Sequence, residues 1–478
     1  MALPQGWELV CGLEVHCELR TETKLFCGCR NMFGDEPNTN VCPVCLGLPG
    51  SLPVINERAV EFAMRIGAAL HCDIRPSIFH RKNYFYPDMP KDYQTTQYDE
   101  PINVAGWLEL PDGTRIGVTR AHMEEDTGKT THIGVSGRIH GADFSLVDYN
   151  RAGVPLVEIV SEPDIGSAEH AKAYVSELRG ILMATGASDG KMEEGSLRVD
   201  ANVSVRHPGE PFGTRCEIKN LNSLRSLVRA IEYEVGRQIA AINNGESIVQ
   251  ETRHWNEEAG RTSSMRSKEE AMDYRYFPEP DLVPLAPSDE WVASVRAALP
   301  PMPADRRRAL SEATGGGLAP GADPIVTIVA QDLDPITFSA IGAGADARRA
   351  INRTANDVAA APAEQIVTLS VDAFAALLKM EGDGRLTTTQ AKVVLTELLE
   401  CGGDPAEIAA AKGFEAMSGD ALSTLVDSLI ADFPAEFERL KGGDAKVTGF
   451  FVGQAMKRTD KKADGGSVTT MLRARAGL

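Results

Sequence analysis

The sequence lacks two features that would place it in a membrane or in the secretory pathway. No stretch of 18 apolar residues occurs among its 478 residues, so no membrane-spanning helix is predicted. The N-terminus carries no basic segment followed by an apolar run, and we therefore predict no signal peptide. Both absences favour a cytoplasmic protein without a membrane partner.

An overall excess of positive charge is also missing, since the formal net charge is −19 at pH 7. A general nucleic-acid coat protein gains affinity by neutralising phosphates, so this charge argues against that class, and no DNA partner is predicted. A local basic surface remains compatible with the total. The segment from residue 446 onward contains seven cationic and two acidic residues, which gives it a local charge of +5. Such a charge favours either a nucleic-acid contact or a solvated helix end. The residues are Lys446, Lys457, Arg458, Asp460, Lys461, Lys462, Asp464, Arg473 and Arg475.

Nine cysteines in a cytosolic chain favour ligands or core residues over a disulfide framework. Four of them, Cys27, Cys29, Cys42 and Cys45, form two close pairs with twelve residues between the pairs. Such spacing suits tetrahedral zinc–thiolate binding, although the first pair has a gap of one residue instead of two. The alternative is a set of reduced cysteines in a loop rich in glycine and proline.

Residues 12–19 alternate strictly between apolar and polar side chains, which predicts a β-strand. One face would carry Leu13, Val15, Cys17 and Leu19. The other would carry Glu14, His16 and Glu18. Two carboxylates and an imidazole side by side can form half of a divalent-metal site, but a half-buried strand with a solvated polar face has the same pattern.

Three further segments carry chemistry. Residues 81–93 interleave cations, aromatics and prolines, which predicts a loop that binds phosphate, stacks on a ring or simply covers the surface.

Residues 120–130 contain three consecutive acids, which favour either Mg²⁺ ligands or a solvated turn. Their Gly-Lys-Thr ending resembles a P-loop, but the position of its first glycine is Met123, so we reject that motif. The apolar strand around Glu158 needs a partner for this carboxylate, either a metal or Arg151.

Regular elements are predicted along the rest of the chain. Helices are expected at 56–70, from the cap Ser167 to Gly186, and from Ser223 to Asn244. Alternation at 197–206 predicts a strand with a polar face, followed by a second strand in an antiparallel hairpin. Beyond residue 292 alanine dominates, with helices expected at 290–299, 365–380 and 388–401, a loop at 314–323, and short helices after 406 broken at Gly442-Gly443 and Gly465-Gly466.

Six strings in the first half of the chain occur in a characteristic order: GLEVH (12–16), RKNYFYPD (81–88), HMEED (122–126), LVEIVSEPD (156–164), KMEEGSLR (191–198) and DYRYFPEPD (273–281). Together they resemble the B subunits of the glutamyl/aspartyl-tRNA amidotransferases. The second half resembles the family more weakly, with GFFVGQAMK (449–457) as its best anchor, and it departs from the family pattern at 310–360.

The resemblance implies an α+β fold: a cradle-like domain with an antiparallel sheet at 1–292, with a zinc knuckle at 27–45, an all-α helical domain at 293–405 and a YqeY-like tail at 406–478. It also implies an ATP-dependent carbon–nitrogen ligase that uses glutamine as amido donor. ATP would phosphorylate the side-chain carboxylate of misacylated Glu-tRNA(Gln) or Asp-tRNA(Asn), and ammonia would then displace the phosphate. The implied partners are an amidase (glutaminase) A subunit and a small C subunit in a heterotrimer, and the tRNA, which the helical and tail domains would recognise.

The resemblance also implies site residues. The metal group, for Mg²⁺ or Mn²⁺, falls on Glu14, His16, Glu125 and Glu158, with Glu124 as a neighbour whose role is not separated from that of Glu125. The four cysteines would hold a structural Zn²⁺. The walls of the ATP pocket would be formed by Lys82, Asn83, Tyr84, Tyr86, Arg198, Asp200, Asn202, Ser204 and Arg206.

Two other functions compete with this one. The chain could also hydrolyse glutamine, but it has no amidase-like stretch rich in glycine and serine with a lysine and paired serines. It could instead be a non-catalytic, zinc-containing tRNA-binding scaffold. That alternative would keep the cysteines and the basic tail but leave Glu14, His16, Glu125 and Glu158 without a use.

Overall fold

The computed structural model describes residues 3–134, 142–267, 274–414, 419–442, 444, 446–459, 463 and 465–477. The chain forms two compact units, Met1–Asp305 and Arg306–Leu478. Some positions that carry sequence predictions lie outside the described residues, namely Asp273, Gly443, Asp460, Lys461, Lys462 and Asp464.

The first unit is built on one large sheet. The described strands are β1 (Glu8–Glu18), β2 (Asp73–Ile74), β3 (Ile78–Asn83), β4 (Tyr93–Glu100), β5 (Asn103–Glu109), β6 (Arg115–Glu125), β7 (Lys129–Gly134), β8 (Ala142–Asp148), β9 (Pro155–Ser161), β10 (Leu197–Arg206), β11 (Cys216–Leu221), β12 (Glu251–Asn256), β13 (Arg261–Ser267) and β14 (Phe277–Pro278). The central part of the sheet has the strand order β13-β12-β11-β10-β1-β9-β6-β4-β3-β14, while β5 pairs with β6 and β2, and β7 and β8 form a separate hairpin.

Side-chain alternation in β1 decides which face of the sheet is buried. Leu13, Val15 and Cys17 are fully buried, and they join the large hydrophobic core of the unit. Glu14 and His16 project to the opposite, half-buried face. The alternation predicted for residues 12–19 is thus confirmed.

Helices supply the other side of that core. The helices of this unit are α1 (Glu57–Ala69), α2 (Ala168–Ala184), α3 (Leu224–Asn243) and α4 (Asp289–Ala297). Residues predicted as N-caps begin α2 and α3: Ser167 accepts a hydrogen bond from the backbone N–H of His170, and Ser223 accepts one from that of Ser226. Val295 on α4 belongs to the same core, so this helix crosses the domain boundary expected at residue 292.

The second unit is helical throughout the part that the structure describes. Separate hydrophobic clusters lie at 340–409 and 422–472. Its elements, with α5 at its start, are α5 (Pro303–Ala313), α6 (Asp323–Ala330), α7 (Asp334–Gly342), α8 (Ala347–Arg353), a π-helical turn (Thr354–Val358), α9 (Ala363–Thr368), α10 (Val371–Gly382), α11 (Thr388–Cys401), α12 (Pro405–Ala411), α13 (Gly419–Asp432), α14 (Pro434–Lys441), α15 (Lys446–Arg458) and α16 (Gly465–Ala476).

The α+β fold class predicted from the sequence is confirmed, as are the strand at 197–206, its antiparallel hairpin partner and the helix at 388–401. The helix expected at 365–380 is wrong in detail, because α9 ends at Thr368 and α10 begins at Val371. Among the described residues no single helix is long and apolar enough to cross a membrane. In that same part of the chain, α6 and α7 taken together are the one pair long and apolar enough, and they are bent by 113° at their junction.

Gly67 provides a test of the packing between α1 and β5. A Cβ atom at this position would lie 1.8 Å from Oδ1 of Asn103, whose Nδ2 donates hydrogen bonds of 3.0 Å to the carbonyl oxygens of Ala63 and Ala121. Asn103 cannot move away without losing those bonds. We expect Gly67→Ala to lower the free energy of unfolding by about 1–3 kcal/mol, despite the better helix propensity of alanine.

The matched control is Gly236→Ala in α3, where nothing lies within 4 Å of the added Cβ atom. This variant should raise the free energy of unfolding by about 0.5–1 kcal/mol. Denaturant unfolding of both full-length variants makes the comparison. Equal stabilisation by the two substitutions would show that the contact at Asn103 is not tight.

Candidate active site and metal cluster

The polar face of the sheet carries a cluster of titratable side chains at its centre. In the ladder, His16 on β1 lies opposite Glu158 on β9, and Glu158 lies opposite His122 on β6. Side chains directly opposite one another in antiparallel strands share a face and stand close together. The pairing of three neighbouring strands therefore assembles the cluster from distant parts of the sequence.

Three side chains of this cluster meet closely. Nε2 of His16 lies 3.6 Å from Oε2 of Glu158 and 3.7 Å from Oε1 of Glu124. One ligand atom from each residue lies within 4.8 Å of the other two. Carboxylate oxygens and an imidazole nitrogen are donors that Mg²⁺ or Mn²⁺ accepts, so this set fits a divalent cation.

Crowding of like charges shifts the pKa values of the cluster. Burial and the charge of Glu158 raise the pKa of Glu124 to about 7. Burial alone would lower the pKa of His16, but its contact with Glu158 and the charge of Glu124 raise it to about 9. Burial opposes ionisation of Glu158, yet His16, His122 and Arg120 hold its pKa well below the usual range. Glu158 is thus the fixed anion of the cluster.

Glu14 borders the cluster without joining the close group. Its Oε1 accepts a hydrogen bond of 2.8 Å from Nδ2 of Asn202. Burial and the nearby charge of Glu158 raise the pKa of Glu14. Asp200 lies opposite Glu14 in the ladder, and its Oδ2 accepts from Nζ of Lys219 at 2.5 Å. The sequence prediction is right that Glu14 and His16 share this face.

Glu125 is not brought to the cluster, which corrects the ligand set predicted from the sequence. Successive side chains of a strand point to opposite faces, so Glu124 faces His16 and Glu125 faces away. The carboxylate of Glu125 forms a buried ion pair with Lys91 and accepts a hydrogen bond of 2.9 Å from the backbone N–H of Thr95. Glu124 takes the place that was expected for Glu125.

The acids at 124–126 are not a solvated turn, since Glu124, Glu125 and Asp126 are all buried. Asp126 accepts a hydrogen bond of 2.8 Å from Nη2 of Arg198 and lies 3.4 Å from Nε of Arg151. Arg151 is therefore the partner of Asp126. The basic side chains nearest to Glu158 are those of His16, His122 and Arg120, and Nη2 of Arg120 lies 3.8 Å from Oε1 of Glu158.

Sequence patterns missed two residues of the cluster, Arg120 and His122. The register between β6 and β9 shifts between Val118 and Arg120, which indicates a β-bulge. Before the bulge the even-numbered Ile116 and Val118 are buried in the core, whereas after it Arg120 and His122 lie on the polar face. A prediction that assumes a strict period of two along the whole strand therefore assigns the second half of β6 to the wrong face. The separation of His122 and Glu124 by one residue is the signal in the sequence that places these two side chains on one face.

His122 is fully buried, and burial lowers its pKa to about 4. Within the described part of the chain, neither of its ring nitrogens has a hydrogen-bond partner, although Nε2 lies 3.7 Å from Oε2 of Glu158. Burying an imidazole without a hydrogen-bond partner costs free energy unless a ligand or metal ion binds it. His122 therefore offers a further nitrogen ligand beside His16, Glu124 and Glu158.

Glu18 lies on the same face of β1 beside Asp126, Arg198 and Arg151. Burial and the charge of Asp126 raise the pKa of Glu18 to about 7, while Arg198 and Arg151 oppose this shift. Glu18 is not among the close group of ligand atoms around His16.

The residues expected at the ATP pocket divide into two sets. Lys82 places its Nζ 4.9 Å from the centre of the Tyr274 ring, and Nδ2 of Asn83 donates to the carbonyl oxygen of Arg275 at 2.8 Å. The ring of Tyr84 lies 6.4 Å from that of Tyr274, and Tyr86 is 46% exposed. The charge of Lys82 acts against the burial that raises the pKa of Glu124, and the charge of Glu124 adds to the burial that raises the pKa of Tyr84. On β10, Arg198 lies opposite His16, Asp200 lies opposite Glu14, and Asn202 donates a hydrogen bond to Glu14, so these residues border the cluster.

Ser204 and Arg206 form the second set and lie away from the cluster. Eight residues separate Arg206 from Arg198, which is opposite His16, so about 26 Å of strand separates them. Nε of Arg206 pairs with Glu8 at 3.0 Å, and Oγ of the buried Ser204 lies 3.5 Å from the carbonyl oxygen of Val10. The regular alternation of β10 predicts one polar face along the whole strand and does not distinguish Arg198 from Arg206. In the structure the first half of the strand lies beside the cluster, and Ser204 and Arg206 in the second half do not.

The four cysteines predicted to bind zinc come together. One sulfur from each of Cys27, Cys29, Cys42 and Cys45 lies within 4.8 Å of the others. The backbone N–H of Cys42 lies 3.1 Å from Sγ of Cys45. Hydrogen bonding from Cys27 lowers the pKa of Cys45 to about 5, against the effect of burial and with help from Lys24. Burial raises the pKa of Cys29 to about 11. Four cysteine sulfurs this close together suit a tetrahedral metal ion, which binds them as thiolates.

Comparison with known proteins agrees with this architecture. Residues 9–293 match the GatB/GatE catalytic domain, and residues 338–475 match the GatB domain. Proteins named as the B subunit of aspartyl/glutamyl-tRNA(Asn/Gln) amidotransferase are similar over nearly their whole length. That of Frankia casuarinae is 50% identical, covering 99% of this chain and 96% of the relative. That of Salinispora arenicola is 49% identical, covering 98% and 97%.

A third relative, from Streptomyces coelicolor, is 47% identical over 99% of this chain and 96% of its own length. The two family models cover most of the sequence: the first covers the part that contains the large sheet, and the second lies within the helical part. The chain therefore belongs to the family of the aspartyl/glutamyl-tRNA(Asn/Gln) amidotransferase B subunits, whose members act within a glutamine-dependent ligase complex.

Proposed function

We propose that this chain activates the side-chain carboxylate of glutamate on tRNA(Gln), of aspartate on tRNA(Asn), or of both. A carboxylate oxygen attacks the γ-phosphorus of ATP and ADP leaves, which gives an acyl phosphate. Ammonia then attacks the acyl carbon, inorganic phosphate leaves and one proton is lost from nitrogen, which gives the amide. The buried cluster of His16, Glu124 and Glu158 is the observation that carries this proposal.

Phosphoryl transfer asks the protein for position and charge rather than for covalent chemistry. His16, Glu124 and Glu158 would hold a divalent cation, Mg²⁺ or Mn²⁺, which neutralises phosphate charge when bound. Glu14 lies beside them as a further acidic group, and His122 offers an unpaired imidazole. Lys82, whose charge acts on Glu124, and Arg120, which lies 3.8 Å from Glu158, add positive charge beside the cluster, where two anionic reactants would otherwise repel each other.

The four cysteines support a structural zinc site. Their sulfurs lie close together, and Lys24 is buried beside them, where it donates hydrogen bonds of 2.7 and 3.2 Å to the carbonyl oxygens of Asn40 and Tyr149. The main-chain N–H of Lys24 also donates to the carbonyl oxygen of Cys29 at 3.0 Å. The residues thus fit a tetrahedral metal whose role is to fix the loop between β1 and α1.

The names of the relatives imply further subunits and a tRNA. We propose, as the sequence resemblance implies, that the chain works in the cytoplasm in a heterotrimer with an amidase A subunit, which releases ammonia from glutamine, and a small C subunit. The division into domains at 1–292, 293–405 and 406–478 remains a prediction, as does tRNA recognition by the helical and tail domains. A non-catalytic tRNA-binding scaffold is less well supported, because it gives the buried acids and imidazoles of the sheet no use.

Glu124→Gln tests the cluster directly. We expect this variant, assembled with its partners, to lose ATP-dependent amidation by about 100-fold or more, because one anionic ligand is removed. Binding of Mn²⁺, followed by electron paramagnetic resonance, should weaken in parallel, while tRNA binding persists. Wild-type amidation by Glu124→Gln would overturn the assignment.

Two control substitutions accompany it. Glu125→Gln removes the buried ion pair with Lys91, so it should lower thermal stability but leave Mn²⁺ affinity unchanged. Glu162→Gln alters a carboxylate beyond the end of β9 that accepts a hydrogen bond from Thr119, and it should change neither property. Loss of Mn²⁺ binding in Glu125→Gln, with Glu124→Gln unaffected, would restore the ligand set first predicted from the sequence.

The zinc proposal predicts about one zinc ion per chain, lost when Cys42 and Cys45 are both replaced by serine, because two thiolates cannot hold the ion alone. Elemental analysis of the purified protein measures it. Cys401→Ser is the matched control, since Cys401 is an exposed free cysteine in the second unit. Protein prepared without chelators that contains no zinc would contradict the proposal.

Substrate choice needs a direct measurement. The assembled complex should amidate Glu-tRNA(Gln), Asp-tRNA(Asn) or both in an ATP-dependent reaction, with formation of one ADP for each amide. Amide formation without ATP consumption would contradict the activation step. Failure with both misacylated tRNAs would favour the scaffold function.

A further inference from the structure

A line of aromatic rings runs along the polar face beside the cluster. Tyr84 and Tyr276 both contact the ring of Tyr274 edge-on, with centroid distances of 6.4 and 6.1 Å. Tyr276 stacks on Tyr98 at 5.3 Å with an interplanar angle of 17°. We call these four tyrosines, with Lys82 and Arg120, the aromatic wall.

Two cations lie over the rings of the aromatic wall. Nζ of Lys82 lies 4.9 Å from the centre of the Tyr274 ring, and Cζ of Arg120 lies 4.7 Å from that of Tyr98. Cations above π faces are stabilised there, and both keep charge available for a phosphate. Tyr98 is nevertheless 44% exposed, so part of its ring remains open to a ligand.

One end of the aromatic wall reaches the candidate reaction centre. The ring of Tyr98 lies 6.2 Å from that of His122, whose Nε2 lies 3.7 Å from Oε2 of Glu158. Arg120 bridges the same gap, because it covers Tyr98 and lies 3.8 Å from Glu158. A flat group held against the wall would therefore be next to any phosphate held at the cluster.

The wall is fixed in place before any ligand binds. The backbone N–H and Nδ2 of Asn83 donate to the carbonyl oxygens of Tyr274 and Arg275, at 2.9 and 2.8 Å respectively. The guanidinium of Arg81 makes two hydrogen bonds, of 2.6 and 2.7 Å, to the buried carboxylate of Glu279. These contacts hold the segment with Tyr274 and Tyr276 against β3, so little conformational entropy is lost on binding.

We propose that the aromatic wall is a stacking site for an unpaired adenine ring beside the carboxylate-activating centre. The inference rests on the proposed function, which brings two adenines to this face: that of ATP and that of the 3′-terminal nucleotide of tRNA. Aromatic side chains stack on any base, and flanking cations pair with its phosphates. The adenine of ATP and the 3′-terminal adenine of tRNA would stack in the same way, and the binding experiment below distinguishes them.

The test uses the assembled complex with Tyr98→Ala, Tyr276→Leu and Tyr98→Phe. Equilibrium binding of a non-hydrolysable ATP analogue and of uncharged tRNA is measured for each, with KM for ATP and for misacylated tRNA. Loss of a stacking ring should weaken binding of the adenine-bearing ligand by about tenfold. Tyr98→Phe keeps the ring and should restore affinity.

The pattern of losses identifies the source of the adenine. Weaker ATP-analogue binding with unchanged tRNA binding assigns the wall to ATP. The opposite pattern assigns it to tRNA, and the loss should then vanish when the tRNA lacks its terminal adenosine. Unchanged affinity for both ligands in both Tyr98→Ala and Tyr276→Leu overturns the proposal.

Phe212→Ala is the matched control. Phe212 is 63% exposed and lies under Arg206, with Cζ 5.2 Å from the ring centre, so it forms a cation–aromatic pair of the same kind. It is associated with the far end of β10, and its loss should alter neither affinity. These binding measurements do not depend on turnover. A failure of the proposed function would appear instead as wild-type amidation by Glu124→Gln.

Discussion

The pairing of β1, β9 and β6 is the constraint on which the candidate site depends. Their registers place His16 opposite Glu158 and Glu158 opposite His122, so backbone hydrogen bonds fix the spacing of the side chains. Two buried carboxylates repel each other, and side chains on a loop would move apart. The paired strands prevent this movement, so burial and the charge of Glu158 raise the pKa of Glu124, while Glu158 and Glu124 together raise the pKa of His16 against the effect of burial. A site that must bind a cation gains affinity from this enforced crowding.

Sequence patterns predicted the structure correctly where the pattern lies within a single strand or a single loop. The alternation of Glu14 and His16 with apolar residues needs no knowledge of neighbouring strands, because period two alone fixes the two faces. The same holds for β10, and for the cap that begins α2 at Ser167. The four cysteines also lie close in sequence, so their meeting requires only a short loop. The family resemblance then supplied what one sequence cannot: which segments act together.

Prediction failed where the answer depends on a partner strand. The bulge near Val118 and Arg120 moves the second half of β6 to the other face, and nothing in its own sequence requires that shift. The aromatic wall likewise joins Tyr98 on β4 to Tyr276, 178 positions later in the chain, through a stacking contact. Propensity and periodicity describe neighbours along the chain, whereas these contacts are set by which strands pair and in which register.

Glu124 and Glu125 show how much one position of register decides. The first carboxylate faces His16, and the second faces Lys91 on the side of the four cysteines, where Glu125 and Cys45 line the same small cavity of about 70 Å³. A slip of one residue in β6 would turn His122 and Glu124 toward the hydrophobic core and carry Ala121 and Met123, which are fully buried in that core, to the polar face, at a cost of several kcal/mol. The burial of Ala121 and Met123 therefore stabilises the register that gives Glu124 to the cluster, and the ion pair between Glu125 and Lys91 forms in that same register. The register of one strand explains why two adjacent carboxylates have different partners.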